Sequence, residues 1–469
     1  MDLSLYDTHT RIEQIISAQD NSVIKIYCCG PTVYRDAHIG NLRTFLLADL
    51  VVRVLHHLGK QTLVVQNITD VGHMTDDFEE DKLLAQGKTE LRSALEVARD
   101  YESRFHRDLA QLNIQPADHY PRASESIDLM LTHIQHLIDL GHAYIGSDHT
   151  IYFSAKSFPT YGELSGNTLD KLKPGHRYDY VDDGAKNFHA DWALWKSAQQ
   201  RTEMVWNSPW GIGFPGWHIE CSAMSLKYLH GHVDLHIGGI DLRFPHHENE
   251  RAQSNPLTTD HSPQRASVEA VSHWLHGEHL LFEGRKMSKS AGNVVLISHI
   301  IEKGFDPLAL RFCFLENRYR SQMDLSWASI SAAHHTLNKW RSLAQLDEPL
   351  NETTKDTVNE CVQEILEAFC DDLDTPRAMQ ILRNVMKSSV TESQKGAVLH
   401  AVEPLFGLAL TRRVAARDLS PTARELLEQR AAARGARDFK LSDALRKKLD
   451  EIGIAIHDEP TGQRWEWKI

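Results

Sequence analysis

The stretch Cys29-Gly30-Pro31-Thr32-Val33-Tyr34-Arg35-Asp36-Ala37-His38-Ile39-Gly40-Asn41-Leu42 joins a short apolar run to a longer amphipathic one, and that junction sets the fold. Upstream, Val23, Ile24, Ile26 and Tyr27 are the β-branched and aromatic residues of a buried strand. Downstream, Leu47, Leu50, Val51, Val54, Leu55 and Leu58 recur at i, i+3, i+4, i+7, i+8 and i+11, one helical face that Gly59 closes. A second β-rich run, Leu63-Val64-Val65-Gln66-Asn67-Ile68, follows. Strand, loop, helix, strand is a parallel crossover. It predicts an α/β protein with a doubly wound, Rossmann-type sheet, whose helix N-terminus aims free amides at an anion above the strands.

The 469 residues exceed what one compact core uses, so two or three domains are predicted. A composition of 41% hydrophobic and 25% charged residues is that of an ordinary globular protein. No apolar run approaches the roughly 18 residues of a membrane span. The start, Met1-Asp2-Leu3-Ser4-Leu5, carries no basic-then-apolar leader, and the expected location is the cytoplasm. Six cysteines, at 28, 29, 221, 313, 361 and 370, show no repeated CxxC and read as buried thiols rather than a disulfide framework. A net charge of −13 argues against nonspecific nucleic-acid binding by the whole surface. Thr411–Ile469, however, carries 13 basic against 10 acidic residues. A basic module on an acidic body suits a local contact with a polyanion; a solvated helical face of balanced charge is the equally open alternative.

Residues 70–145 read as mainly helical. Residues 146–216, rich in Gly, Pro, Asp and Trp, read as an inserted β-rich subdomain. A second α/β half follows: a helix over Ile219–Leu229, then a strand over Val233–Ile237 that ends in Gly238-Gly239-Ile240-Asp241, where open α/β sheets bind ligands. A further strand, His279–Phe282, leads into Gly284-Arg285-Lys286-Met287-Ser288-Lys289-Ser290. From Ser326 to Gly407 the pattern is helical, and a Pro-bearing linker near Ser420-Pro421 precedes a small C-terminal unit. The predicted division is an α/β domain over 1–325 with an insertion at about 100–216, a helical bundle over 326–410 and a C-terminal module over 411–469.

Two loops, His38-Ile39-Gly40-Asn41 and Lys286-Met287-Ser288-Lys289-Ser290, each follow a predicted strand. Lysines flanking Met-Ser are commonplace singly. The pair together resembles the class I aminoacyl-tRNA synthetases, whose catalytic domain uses an HIGH-type motif and a KMSKS loop to activate an amino acid with ATP. Attack of a carboxylate on the α-phosphate builds charge on phosphate oxygens, which fixed donors must stabilise. The resemblance implies that His38 and Asn41 contact the phosphates, that Lys286 and Lys289 close over the leaving pyrophosphate, and that Mg²⁺ accompanies the ATP. Asn41 departs from the motif's second histidine: its amide still donates a hydrogen bond but cannot be protonated.

A second constellation comprises Cys29, Cys221 after Gly216-Trp217-His218-Ile219-Glu220, and His246 with Glu250 in Pro245-His246-His247-Glu248-Asn249-Glu250. A spacing of four on a helix puts His246 and Glu250 on one face, suited to a single ion. Taken one at a time, a buried Cys is ordinary core and adjacent histidines are an ordinary surface pair. Together the segments are similar to the cysteinyl-tRNA synthetases, in which two Cys, one His and one Glu hold zinc, and the resemblance gives those roles to Cys29, Cys221, His246 and Glu250. Strand alternation turns Cys28 away from that side. Zinc accepts a substrate thiolate far better than a hydroxyl, so cysteine is separated from serine by bonding and no editing domain is required.

The same resemblance places Gly30, Thr69 and Trp217 against the amino acid, although a core Trp is an equal reading, and Gly238, Gly239 and Asp241 against the nucleoside. Leu310-Arg311-Phe312 and Asn317-Arg318-Tyr319-Arg320-Ser321 resemble the family's stem-contact region. The C-terminal unit, with its amphipathic Asp443–Leu449 and Trp465-Glu466-Trp467, resembles the anticodon-binding module, and Arg434, Asp443 and Asp458 are assigned to that contact. Unpaired bases are read by edge hydrogen bonds, which carboxylates accept; a Trp pair also packs a small core. The implied activity is ATP-dependent formation of cysteinyl-adenylate from L-cysteine and transfer to tRNA(Cys), by a monomer with one Zn²⁺ and no membrane partner. Two alternatives stay open: a cysteine ligase acting on an amino-sugar, as in mycothiol synthesis, and a non-catalytic tRNA-binding paralogue.

Overall fold

The computed structural model describes residues 1–19, 22–72, 82–90, 92–173, 185–258, 269–287, 292–345, 352–412, 421–451, 454–459 and 462–467. A small hairpin, β1 (Ser4–Tyr6) and β2 (Glu13–Ile15), precedes the crossover. The crossover itself is β3 (Val23–Cys28), α1 (Ile39–His57) and β4 (Gln61–Gln66), with β3 and β4 parallel and Ile26 opposite Val64. α1 buries residues on every side, Leu42, Leu46, Val51 and Val54 among them, as befits a helix covered by sheet and bundle. Gly59 follows its C-cap, Leu58, with φ 73°, the left-handed conformation that ends helices.

The helical stretch predicted next is α2 (Lys82–Glu90), α3 (Ala94–Gln111) and α4 (Ile127–Asp139), α3 opening on a Ser93/Glu96 capping box. The insertion is a four-stranded antiparallel sheet, β5 (Ala143–Ile145), β6 (Ile151–Phe153), β7 (Trp192–Ser197) and β8 (Gly213–Pro215). Phe153, Trp192 and Trp195 pack there on Met130 and Ile134 of α4. The second half supplies α5 (Trp217–Tyr228), β9 (Val233–Gly239), α6 (Glu248–Thr258) and β10 (Val271–Gly277). The main sheet has the order β10-β9-β3-β4, parallel throughout. β10 was not predicted. Its residues, Val-Ser-His-Trp-Leu-His-Gly, neither alternate nor run continuously apolar, and its pairing with β9 supplies what local pattern lacks.

β11 (Leu280–Phe282) pairs with β12 (Arg285–Lys286) and β13 (Met323–Leu325) beside α7 (Ile297–Glu302) and α8 (Leu308–Leu315). The bundle is α9 (Trp327–Ala344), α10 (Glu352–Cys370), α11 (Thr375–Lys387) and α12 (Glu392–Phe406). The C-terminal unit is α13 (Pro421–Gly435), α14 (Phe439–Glu451) and the hairpin β14 (Ile454–Glu459) with β15 (Gly462–Trp467). Trp465 packs on its core of Ala423, Leu427, Leu449 and Ile454. The linker before Pro421 lies outside the described residues.

One apolar core runs from Leu3 through α1 and α8 into the bundle as far as Leu410. Charge is buried at the same junction. Asp49 of α1 meets Arg53 at 2.8 Å and Arg311 of α8 at 2.6 Å. Arg53 donates to the carbonyls of Pro404 and Asn113, Arg311 to those of Phe406 and Leu112. Gly407, at φ 60°, has its α-carbon so close to Arg311 that a Cβ would stand 2.4 Å from the guanidinium. This corrects the reading of Leu310-Arg311-Phe312 as a stem contact: all three are fully buried, and Arg311 is a structural clamp between α1 and the end of α12. Replacing Asp49 by Ala leaves two buried guanidiniums without their carboxylate. A loss of about 3–5 kcal/mol in unfolding free energy is expected from denaturant titration, against under about 1 kcal/mol if the pair is peripheral.

Candidate active site and metal cluster

The two motif loops meet at the N-terminus of α1. His38 is the N-cap, its Nδ1 accepting from the amides of Gly40 (3.1 Å) and Asn41 (3.2 Å), while Asn41 Oδ1 accepts from the His38 amide at 3.2 Å. Asn41 is exposed, so its NH₂ stays available on the open side. Burial, and then the Arg35 charge, holds the His38 imidazole below its usual value. A neutral ring that accepts at Nδ1 carries its proton on Nε2. Met287 packs on this loop, its Cε only 3.1 Å from where a Gly40 Cβ would stand, and Ile39 donates its amide to Val295 at 3.0 Å. Lys286 is exposed on β12; Lys289 lies outside the described residues. Gly238 and Gly239 are buried at the carboxyl end of β9, and the charge of the exposed Asp241 carboxylate acts on His38, raising it against the burial.

The four predicted metal donors converge. The ligand atoms of Cys29, Cys221, His246 and Glu250 all lie within 4.8 Å of one another, each residue buried. Cys29 Sγ is 3.9 Å from Cys221 Sγ and 3.6 Å from Glu250 Oε1, and His246 Nε2 is 2.9 Å from that same oxygen. Ligands of a tetrahedral ion with bonds near 2.0–2.3 Å stand roughly 3.3–3.8 Å apart, so the donor set and its spacing fit zinc. His246 precedes α6 in the turn Arg243–His247 rather than sharing its regular helix with Glu250, yet still reaches the carboxylate. Cys28 faces the α1 side, in a different core from Cys29, as alternation requires. Burial raises both the Cys29 thiol and the Glu250 carboxyl, while the hydrogen bond from Cys29 is the main cause that lowers Cys221.

Sequence reading missed the histidines that enclose this cluster. His236 Nε2 and His247 Nε2 lie 3.4 and 3.3 Å from Cys29 Sγ, and with Cys29 and Glu250 they form a second, overlapping donor set. His276 Nε2 is 2.8 Å from His247 Nδ1, and His218 Nδ1 is 2.9 Å from His246 Nδ1. Burial holds His236 and His247 well below the ordinary imidazole value and His276 at about 3, so these rings are neutral. A Cβ on Gly238 would fall 2.4 Å from the His247 ring, which is why a glycine stands there. The available signal was His236 inside the apolar run of β9; His276 lies in β10, which has no strand pattern of its own.

The candidate amino-acid residues surround the same point. Gly30 donates its amide to Asn67 Oδ1 at 2.8 Å, and Asn67 Nδ2 donates to Thr69 Oγ1 at 3.0 Å. Trp217, half-buried, stacks on His246 with ring centroids 4.2 Å apart.

The family model for tRNA synthetases class I (C) catalytic domain matches residues 15–335, and that for the cysteinyl-tRNA ligase anticodon binding domain matches residues 416–465. A cysteine–tRNA ligase of Thermus thermophilus is 38% identical over 489 residues, covering 99% of both chains. This chain belongs to the cysteine–tRNA ligase family. A member from Treponema denticola is 36% identical over 502 residues, covering 99% of this chain and all of its own. A solved methionyl-tRNA synthetase of Mycobacterium tuberculosis bound by methionyl-adenylate shares the fold, with a TM-score of 0.56 at 14% identity over 82% of this chain and 92% of that one.

In the family's C-terminal domain the structure gathers charge around one carboxylate. Asp458 accepts from the buried Arg430 at 3.0 Å, and pairs with the half-exposed Arg434 at 3.0 Å and Arg446 at 2.6 Å. Asp443 stands exposed on α14. At the other end of the chain Gly30 admits no side chain, because a Cβ would lie 1.6 Å from the Asn67 carbonyl oxygen. Gly30→Ala must push apart the segments that carry Cys29 and Thr69. A fall of about 100-fold in cysteine-dependent ATP–pyrophosphate exchange is expected, the scale of an ångström-level misplacement, with thermal unfolding as the control.

Proposed function

We propose that this chain ligates L-cysteine to tRNA(Cys) in two steps, with one zinc ion held by Cys29, Cys221, His246 and Glu250 as the selector. The observation that carries the reading is the convergence of two thiols, an imidazole and a carboxylate beside the His38–Asn41 loop, in a chain whose relatives are cysteine–tRNA ligases over their whole length. Bound there, zinc supplies a soft Lewis acid that takes a substrate thiolate in preference to a hydroxyl. His236 and His247, held neutral, orient the cluster without competing for positive charge.

With the amino acid between Gly30, Thr69 and Trp217, its carboxylate oxygen attacks the ATP α-phosphorus, and the bond from that phosphorus to the bridging oxygen of pyrophosphate breaks. His38 Nε2–H and the Asn41 amide donate to the phosphate oxygens that gain charge. Lys286 and Lys289 neutralise pyrophosphate, which Mg²⁺ accompanies. The terminal ribose hydroxyl of the tRNA then attacks the carbonyl carbon; the ester bond forms and AMP leaves. Gly238, Gly239 and Asp241 hold the nucleoside, and Asp241 accepts from ribose hydroxyls. Arg434, Asp443 and Asp458 meet the anticodon. The catalytic, bundle and anticodon-binding parts work as one chain, a monomer in the cytoplasm. The C-terminal domain favours tRNA over an amino-sugar acceptor, since a small acceptor has no anticodon to read.

Purified protein is expected to hold about one zinc per chain by atomic absorption, and Cys29→Ser or Cys221→Ser to lose it along with about 100-fold or more of exchange activity. Full zinc retention in both variants would falsify this donor set. Asp458→Asn frees the arginines around it and is expected to raise the KM for tRNA roughly tenfold while leaving exchange unchanged, the cost of a charge-assisted contact. An equal loss in exchange would show that the C-terminal unit acts through the catalytic fold instead.

A further inference from the structure

Around Cys29 and Glu250 the buried pocket offers two ways to complete a metal site. One adds Cys221 and His246; the other adds His236 of β9 and His247 of the turn before α6. In the second set Cys29 Sγ stands 3.4 Å from His236 Nε2, 3.3 Å from His247 Nε2 and 3.6 Å from Glu250 Oε1. The Glu250 carboxylate lies 3.7 Å from His236 Nε2 and 4.0 Å from His247 Nε2. These edges match the roughly 3.3–3.8 Å between the ligands of a four-coordinate ion at least as well as those of the first set. The second set is therefore a metal position in its own right.

Its imidazoles are held from behind. His247 Nδ1 is 2.8 Å from His276 Nε2, and His276 Nδ1 is 2.9 Å from Thr8 Oγ1, the outer support that orients a metal-bound ring. His236 stacks on Trp274 of β10 with centroids 4.5 Å apart, so the second position draws an ion toward the sheet. His246, which only the first set uses, stacks instead on Trp217, the residue assigned to the amino acid. Both sets need Cys29 and Glu250, so one ion at a time can be held. They differ in chemistry. The first offers two thiolates and one imidazole, the second one thiolate and two imidazoles; thiolates select zinc, whereas imidazole also suits nickel.

We propose that the pocket is a two-position metal site, in which Ni²⁺ settles on Cys29, His236, His247 and Glu250, leaves Cys221 and His246 unused, and holds the protein in a form that does not select cysteine. The full chain, stripped of metal, is titrated with zinc chloride or nickel chloride as wild type, Cys221→Ser and His236→Gln. Cys221→Ser is expected to weaken zinc by about 100-fold or more but nickel by less than about threefold, and His236→Gln to weaken nickel at least about tenfold while still taking about one zinc per chain. The metal that each variant keeps shows that it folds. The thiolate-to-nickel absorption of the wild type should correspond to one sulfur and survive Cys221→Ser. Parallel loss of both metals in Cys221→Ser, nickel held by His236→Gln as tightly as by wild type, or two ions on one chain overturns the proposal. The last arm rests on the ligase reading: nickel-loaded wild type is expected to show about 100-fold less cysteine-dependent ATP–pyrophosphate exchange than zinc-loaded wild type, and equal rates overturn the non-selecting form. If zinc-loaded protein exchanges nothing, the ligase reading fails while the nickel titrations stand.

Discussion

Three groups able to carry negative charge and one imidazole share a pocket with almost no water: Cys29, Cys221, Glu250 and His246 are 4%, 1%, 2% and 1% exposed. An interior of that kind does not tolerate unpaired charge, and the raised Cys29 and Glu250 record the strain as retained protons. A divalent cation bound there would resolve the conflict by replacing those protons. The donors come from three separate places, the end of β3, the first turns of α5 and the approach to α6, so the parallel sheet must form before the pocket exists. The neutral histidines packed around it follow from the same constraint, since burial disfavours a protonated ring there.

The N-terminus of α1 solves a different problem with local means. A helix start must satisfy its own amides and still offer donors outward. His38 and Asn41 do both, capping each other through Nδ1 and Oδ1 while Nε2–H and the amide NH₂ remain for a ligand. Asparagine in place of the motif's second histidine keeps the acceptor that the cap needs, so the departure at position 41 leaves the loop's geometry intact.

What could be read from sequence was what lies close along the chain or repeats a strand or helix period: β3, α1, β4 and the choice of Cys29 over Cys28. The metal donors came from the family resemblance, since no local pattern links residue 29 to residue 250. The enclosing histidines escaped because a histidine inside an apolar strand looks like any core residue until its neighbours from other strands are known. Arg311 was misread because that reading rested on resemblance alone, and its partner Asp49 sits in a helix far earlier in the chain. Edge strand β10 has no pattern of its own and exists by virtue of β9.

The clamp at Asp49 has a bearing on how such a chain can be shortened. Three arginines, Arg53, Arg311 and Arg341, grip the carbonyls between Pro404 and Ala409, and the apolar interior passes through that point without a seam. Trimming the chain back to its α/β part would strip the oily flank of α1, take Arg341 of α9 away and leave Arg53 and Arg311 without the carbonyls they hold. The bundle is therefore a wall of the catalytic house rather than an annex.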